Sequence, residues 1–350
     1  MTEWKPANKP VIEAGQYRTT AEDFRVKEQL SFTPSGDGEH CLLYVEKRGA
    51  NTTWVARQLA DFFGLKERDV SYAGLKDRHA VTQQWFSLHM PGKSNPDSLP
   101  EHEDFKVIEQ TCNNKKLRRG AIANNQFSLT LRHLRCNQDE VEQRLALIAK
   151  QGFPNYFGAQ RFGHQGNNVN KAIDMLENGR RVKKSQRSIY LSALRSKLFN
   201  DYLNVRIEQD SWTRLSPQDR LMLNNSHSHF TMTSDDELAD IEQRLQQGDL
   251  HIAGPLPGED LDLALLSDLH LTESWEHYIE LLAKARMKTD WRSLRVIPEQ
   301  MSWSWLDEQS LQLDFALPSG AYATGLLSEL GQLEDAMEIC RVENTSTGQD

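Results

Sequence analysis

The chain has 350 residues, of which 38% are hydrophobic, enough to bury a substantial core in one large domain or two of ordinary size. No apolar run approaches the length of a membrane span, and the N-terminal MTEWKPANKPVIEAG has neither an apolar leader core nor a basic amphipathic face, so a cytoplasmic location is expected. The formal net charge of -9 excludes an indiscriminate nucleic-acid binder, because phosphate contacts would need a local basic surface.

In chain order, FRVKE around Val26 and CLLYVEK from Cys41 read as strands separated by the turn-rich TPSGDGEH. Asn51 or Thr52 can cap a helix with Val55, Leu59, Phe62 and Phe63 on one apolar face, stopped by Gly64. VSYAG from Val70 and QWFSLHM from Gln84 are expected strands flanking the polar loop LKDRHAVTQ. FKVIEQ from Phe105 and QFSLTLR from Gln126 follow, the second alternating Phe127, Leu129 and Leu131. Val141, Leu145 and Ile148 then have helical spacing, with Gly152 as the stop.

After residue 155 helices are expected near Val169, through the basic stretch GRRVKKSQRSIYLSALRSKLF, over Leu238, Ile241 and Leu245, and from Trp275 to Arg286. Strand alternation returns at Leu311, Leu313, Phe315 and Leu317, and a terminal helix follows Thr324. Strands at both ends around a helix-rich middle predict one α+β domain interrupted by a large insertion.

Several residues can do chemistry. Asp77 lies between Lys76 and Arg78 in a loop after a strand, where flanking cations favour an ionised carboxylate. Taken alone, such a loop is more often solvated surface. Asn125 can donate and accept at once, yet Asn124–Asn125 is also a good turn signal. Phe24, Phe127 and Tyr322 are, without further information, more often core aromatics than binding surfaces. Arg180, Arg181, Lys183, Lys184, Arg187, Arg195 and Lys197 have no acidic residue among them, and such a run can follow phosphates. His227 and His229 have strand spacing but no third ligand nearby, so no metal is assigned. Cys41, Cys112, Cys136 and Cys340 lack the spacing of a zinc knuckle or redox motif and are read as reduced thiols in or near the core.

AEDFRVKE, YAGLKDRHAVTQQW, PNYFGAQRFGHQGNN, RRGAIANNQFSLTLR and LPSGAYATGLLSEL together resemble the signature segments of the TruD family of tRNA pseudouridine synthases. The resemblance runs from about residue 16 to 335. It implies a pseudouridine-synthase-like α+β catalytic domain with a mixed, mostly antiparallel sheet, formed by residues 1–154 and 294–350, and a helix-rich inserted domain at 155–293. It further implies isomerisation of uridine 13 in the D-stem region of tRNA, with Asp77 as the catalytic carboxylate, Arg18 or Lys76 as its cationic partner, Phe24, Phe127 and Tyr322 as aromatic surfaces and Asn125 on the base. Tyr322 stands where a Phe is usual in the family, which keeps the π-face and adds a hydroxyl to satisfy. No organic cofactor is needed, since the reaction transfers no group and changes no oxidation state. The expected partner is tRNA, with no membrane and no obligatory protein partner, the chain acting as a monomer. The competing readings are a non-catalytic RNA-binding or RNA-folding protein on the same scaffold and a glycoside or nucleoside hydrolase. An intact Asp77 speaks against the first, because binding gains little from a carboxylate near phosphate. The second generally needs a paired carboxylate, and nothing in the sequence sets Glu22 or Asp23 opposite Asp77.

Overall fold

The computed structural model describes residues 4–92, 96, 98–118, 120–216, 218–233, 237–266 and 273–339. Arg119, Cys340 and the polar C-terminal tail lie outside these residues. The chain forms two compact units, one of Val11–Val141, Pro298–Gly320 and Gly331–Asp350, the other of Met1–Pro10, Glu142–Ile297 and Ala321–Leu330.

The first unit is built on an 11-stranded mixed sheet. Its main path runs Glu299–Asp307, Ser310–Pro318, Ile122–Cys136, Phe24–Leu30, Val81–His89, His40–Arg48, Phe105–Asn113 and Glu101–His102. Phe24–Leu30 pairs in parallel with Val81–His89, and Ile12–Tyr17 in parallel with Glu334–Asp335, while the other pairings are antiparallel. The helix Thr52–Phe62 covers part of one face, packing Val55, Ala56, Leu59 and Ala60 over Leu43, Val45, Phe86 and Leu88. Phe62 does not join that face: it is 48% exposed, because the buried stripe follows positions 52, 55, 56, 59 and 60 and leaves 62 beside it. Cys41 and Cys112 face one another across neighbouring strands.

In the second unit the helices Asn167–Glu177, Lys184–Glu208, Leu238–Gln247 and Glu273–Lys284 pack with a four-stranded antiparallel sheet of His229–Thr231, Arg220–Leu223, Leu250–Leu256 and Asp290–Ser293. Alternation did not reveal this sheet because its strands hold three, four, seven and four residues, too few for a period-2 pattern to stand out. Residues 4–10 belong here because Trp4 stacks on Tyr156 at 5.5 Å and the Ala7 amide donates to Glu329 at 3.0 Å. The long basic helix starts only at Lys184, since Gly179 takes a left-handed φ of +64° that ends helical geometry before Arg180. His227 lies in a turn and His229 in a strand, both exposed.

Candidate active site

Strand register brings much of the site together. Along Phe24–Leu30 the side chains of Phe24, Val26 and Glu28 are buried and those of Arg25 and Lys27 exposed, the period of two that a sheet imposes. Opposite them on Ile122–Cys136 stand Leu129, Phe127 and Asn125 respectively, and Phe315 faces Phe127 from the other side. Phe24, Glu28, Asn125 and Phe127 therefore share one face. Asn125 is a strand residue and not part of a turn. Arg25, Lys27, Gln83, Gln126 and Asp314, with Phe127 and Phe315, border an open cavity of about 360 Å³.

The loop carrying Asp77 is anchored to this face at several points. The Lys76 amide donates to Thr52 Oγ1 at 3.0 Å, and the Thr52 hydroxyl donates to Gln84 Oε1 at 2.8 Å. Gln84 in turn donates to the Gly74 carbonyl at 3.3 Å. The Lys76 ammonium lies 2.7 Å from Glu28 Oε1 and donates to Asn125 Oδ1 at 2.8 Å. Arg78 donates to the Gly49 carbonyl at 3.1 Å. From beneath, fully buried Lys47 donates to the carbonyl oxygens of Ala50 and Asp77, each at 2.8 Å. Burial pushes the Lys47 ammonium down to about 8, against the opposing attraction of the Asp77 charge. Burial also raises the Glu28 carboxyl, and Lys76 and the Trp85 amide partly offset this.

The expected pairing of Arg18 or Lys76 with Asp77 is corrected. Lys76 is occupied by Glu28 and Asn125, and Arg18 forms a two-pronged ion pair with Asp335, one contact being 3.0 Å from Nε to Oδ1. Arg18 adopts a φ of +59° just after Ile12–Tyr17, and its guanidinium lies 5.3 Å from the Tyr17 ring and 5.5 Å from that of Phe24. The half-buried Asp77 has no carboxylate ion pair among the described residues. Burial raises the Tyr17 hydroxyl, and the Asp77 charge adds to that shift, so Tyr17 belongs to the same electrostatic neighbourhood.

Phe24 is only 4% exposed and meets Phe127 edge-on at 6.2 Å, whereas Phe127 is partly exposed and stacks on Phe315 at 5.3 Å. Of these two rings, Phe127 is the one with a surface open to a ligand. Lys47, Glu28, Thr52, Gln84 and Tyr17 went unrecognised in the sequence. A signal existed for two of them, since Glu28 and Lys47 occupy the apolar phase of FRVKE and CLLYVEK, where a charge is costly unless partnered.

Tyr322 belongs to the other compact unit. There its ring lies against Gly158, where an added Cβ would come within 2.8 Å of the ring. The PNYFGAQRFG segment holds that glycine through reciprocal hydrogen bonds between the Phe157 backbone and the Asn200 side chain, at 2.9 and 3.1 Å. Arg292 lies over Phe157 at 4.0 Å, and burial pushes its guanidinium down to about 10.

Within the basic run, Arg195 donates to the carbonyls of Leu256 and Lys288 at 2.7 and 3.0 Å, and Lys197 contacts Asp201 at 2.5 Å. Arg180 pairs with Asp174 at 3.2 Å while remaining exposed, as do Arg181, Lys183, Lys184 and Arg187.

The chain matches the family model described as tRNA pseudouridine synthase D (TruD) over residues 10–177 and 165–330. It is 44% identical over 322 residues to the tRNA pseudouridine synthase D of Proteus mirabilis (strain HI4320), covering 90% of this chain and 91% of that one. It is 42% identical over 341 residues to that of Xanthomonas campestris pv. campestris (strain 8004), covering 92% of each. A solved Methanosarcina mazei structure described as a tRNA pseudouridine synthase D shares the fold, with a TM-score of 0.71 at 20% identity over 97% of both chains. The mixed sheet, the helix-rich unit and the extent of these similarities together establish that the chain belongs to the TruD family of tRNA pseudouridine synthases.

Proposed function

We propose that this enzyme isomerises uridine 13, in the D-stem region of tRNA, to pseudouridine and that Asp77 is its catalytic carboxylate. The single observation that carries the assignment of Asp77 is its local isolation. Lys76 and Arg78 on either side are engaged elsewhere, and Lys47 fixes the backbone carbonyl of Asp77 without occupying its carboxylate. With its backbone carbonyl held by a buried cation, the half-buried Asp77 side chain is kept in place.

In the reaction the N1–C1′ bond breaks, the uracil turns, C5 bonds to C1′, and C5 loses its proton while N1 gains one, so that substrate and product are isomers. Asp77 assists either as nucleophile toward the sugar or as proton acceptor. Reaching the uridine requires taking it from its stack, which favours aromatic and polar replacements for the lost contacts. Phe127 and Tyr322 supply π-faces, Phe24 supports Phe127 edge-on, and Asn125 offers its remaining amide hydrogens to the base or nearby backbone. Arg18 and Lys76 shape the site through Asp335 and Glu28. Side chains and substrate suffice, without metal or organic cofactor. The enzyme acts as a cytoplasmic monomer, its catalytic domain comprising residues 1–154 and 294–350 and its inserted domain residues 155–293. None of the helices among the described residues is long and apolar enough to cross a membrane.

The test is incubation of unmodified tRNA transcripts with the wild-type protein and with Asp77→Asn, followed by mapping of pseudouridine at nucleotide resolution. Product at position 13 with the wild type alone supports the proposal. Product at another position removes the site assignment, and product with purified Asp77→Asn removes Asp77.

A further inference from the structure

A second binding element lies within the helix-rich unit. Lys171, on Asn167–Glu177, and Arg180, Arg181 and Lys183, on the segment that follows, border a cavity of about 510 Å³ together with Gln186 and Tyr190 of Lys184–Glu208. That volume falls in the range of small-ligand sites, about 300–1,000 Å³. Among the described residues no carboxylate lines it, although Asp174 pairs with Arg180. Four cations around one concavity, in a protein whose net charge is -9, create a local field that attracts an anion.

A bare phosphate site would not need the remaining lining. Tyr190 is partly buried, with its ring packed at the margin of the core and the Lys171 ammonium 6.0 Å from its centroid. The core packing fixes the ring, and Tyr190 is the aromatic side chain of the cavity lining. Gln186 is exposed beside it and can donate and accept at once. Cations for a phosphate, an anchored aromatic face for a base and an amide for its edge are the three components by which proteins hold an unstacked nucleotide.

We infer that this cavity holds one unstacked nucleotide of the RNA substrate, its phosphate among Lys171, Arg181 and Lys183 and its base on Tyr190. The inference rests on tRNA being the substrate, and it adds a point of capture in the helix-rich unit. The contact helps to bind the RNA and leaves the chemical step to the residues around Asp77.

The test compares binding of an unmodified tRNA transcript by the full-length wild type, Tyr190→Phe, Tyr190→Leu and Lys171→Gln/Arg181→Gln over a range of salt concentrations, with thermal unfolding confirming that each variant is folded. Tyr190→Leu keeps apolar packing and removes the π-face, so affinity should fall about 5- to 100-fold, whereas Tyr190→Phe should bind like the wild type. The double variant should bind more weakly and make the dependence of log affinity on log salt shallower by about one to two units. Unchanged affinity in either Tyr190→Leu or the double variant overturns the inference. So does an equal loss in Tyr190→Phe and Tyr190→Leu, and loss in the double variant with none in Tyr190→Leu overturns it in favour of a bare phosphate site. Pseudouridine formation by the wild type is measured in the same samples. Its absence would refute the proposed function while the affinity comparison still decides the cavity.

Discussion

The two compact units use charge in opposite ways. In the sheet unit, Lys47 and Glu28 occupy buried strand positions, and with Lys76 they hold a loop in place at short range. In the helix-rich unit, Arg181, Lys183, Lys184 and Arg187 stand exposed on an irregular segment and the start of the long helix that follows it, where they can act on a distant anion. Buried charge is costly unless partnered and therefore fixes geometry, whereas exposed charge is cheap, screened by salt and suited to capture. An acidic protein can thus serve an anionic substrate: its position-setting charges are internal, and its phosphate-attracting charges are concentrated locally.

The most severe break in this comparison is Asp77→Asn. The amide keeps the shape and loses the charge and nucleophilicity, so turnover should fall by about 100- to 10,000-fold or more while tRNA affinity stays near wild type. Tritium release from uridine labelled at C5, with binding measured separately, gives both quantities. A parallel loss of binding would mean that Asp77 holds the RNA or the local fold.

Lys76→Met should have the next largest effect, on stability. It leaves Glu28 buried without its cation, a change that typically costs about 3–5 kcal/mol. Glu28 can relieve part of this by taking a proton, as its carboxyl is already raised by burial. With a folded-state value above the unfolded one, the native protein binds more protons, so stability falls as pH rises through that interval. Urea unfolding should therefore show a larger loss at pH 8 than at pH 5, and Glu28→Gln in the same chain should recover part of it. A loss independent of pH would mean that packing, and not the charge, is what Lys76 contributes.

These buried partners mark the limit of what the sequence disclosed. The motifs around Phe24, Asp77, Asn125 and Phe127 are local, and alternation sufficed to place Phe24 and Phe127 on strands. That Glu28 stands opposite Asn125, or that Lys47 lies under Asp77, depends on register between segments far apart in sequence, which no window of one strand contains. The expected ion pair for Asp77 failed for the same reason, because Asp335, the partner of Arg18, is 317 residues away. In the helix-rich unit the long apolar periods were readable, but short strands such as Arg220–Leu223 were not, and continuous basic composition concealed the break at Gly179. Tyr322 was legible as a motif residue, while its packing on Gly158 needed the fold.

Lys47→Met sharpens the contrast with a moderate effect. The ammonium is held down to about 8 in the folded protein against an ordinary value of 10.5, so below pH 8 the native state bears the full cost of burying it. Between those values the unfolded chain binds more protons, and stability rises with pH. Relative to Lys47→Met, the wild type should gain about 2 kcal/mol between pH 7 and pH 9.5. Parallel stability profiles for the two proteins would show that Lys47 is not a strained buried cation.

The smallest effect separates two arginines within the basic run. Arg181 is exposed, and Arg181→Gln should make the dependence of log tRNA affinity on log salt shallower by just under one unit, as the loss of one phosphate contact would. Its thermal stability should hardly change, since surface charge contributes little. Arg195 carries the same charge but is partly buried, with its guanidinium committed to the carbonyls of Leu256 and Lys288. Arg195→Gln should therefore leave the salt slope unchanged and lower stability by about 1–3 kcal/mol, because two carbonyl acceptors lose their donor. The pair controls for composition, since each variant has the same net charge. Equal salt slopes with equal stabilities would mean that position within the helix-rich unit does not divide capture from construction, and that the whole run acts as one diffuse field.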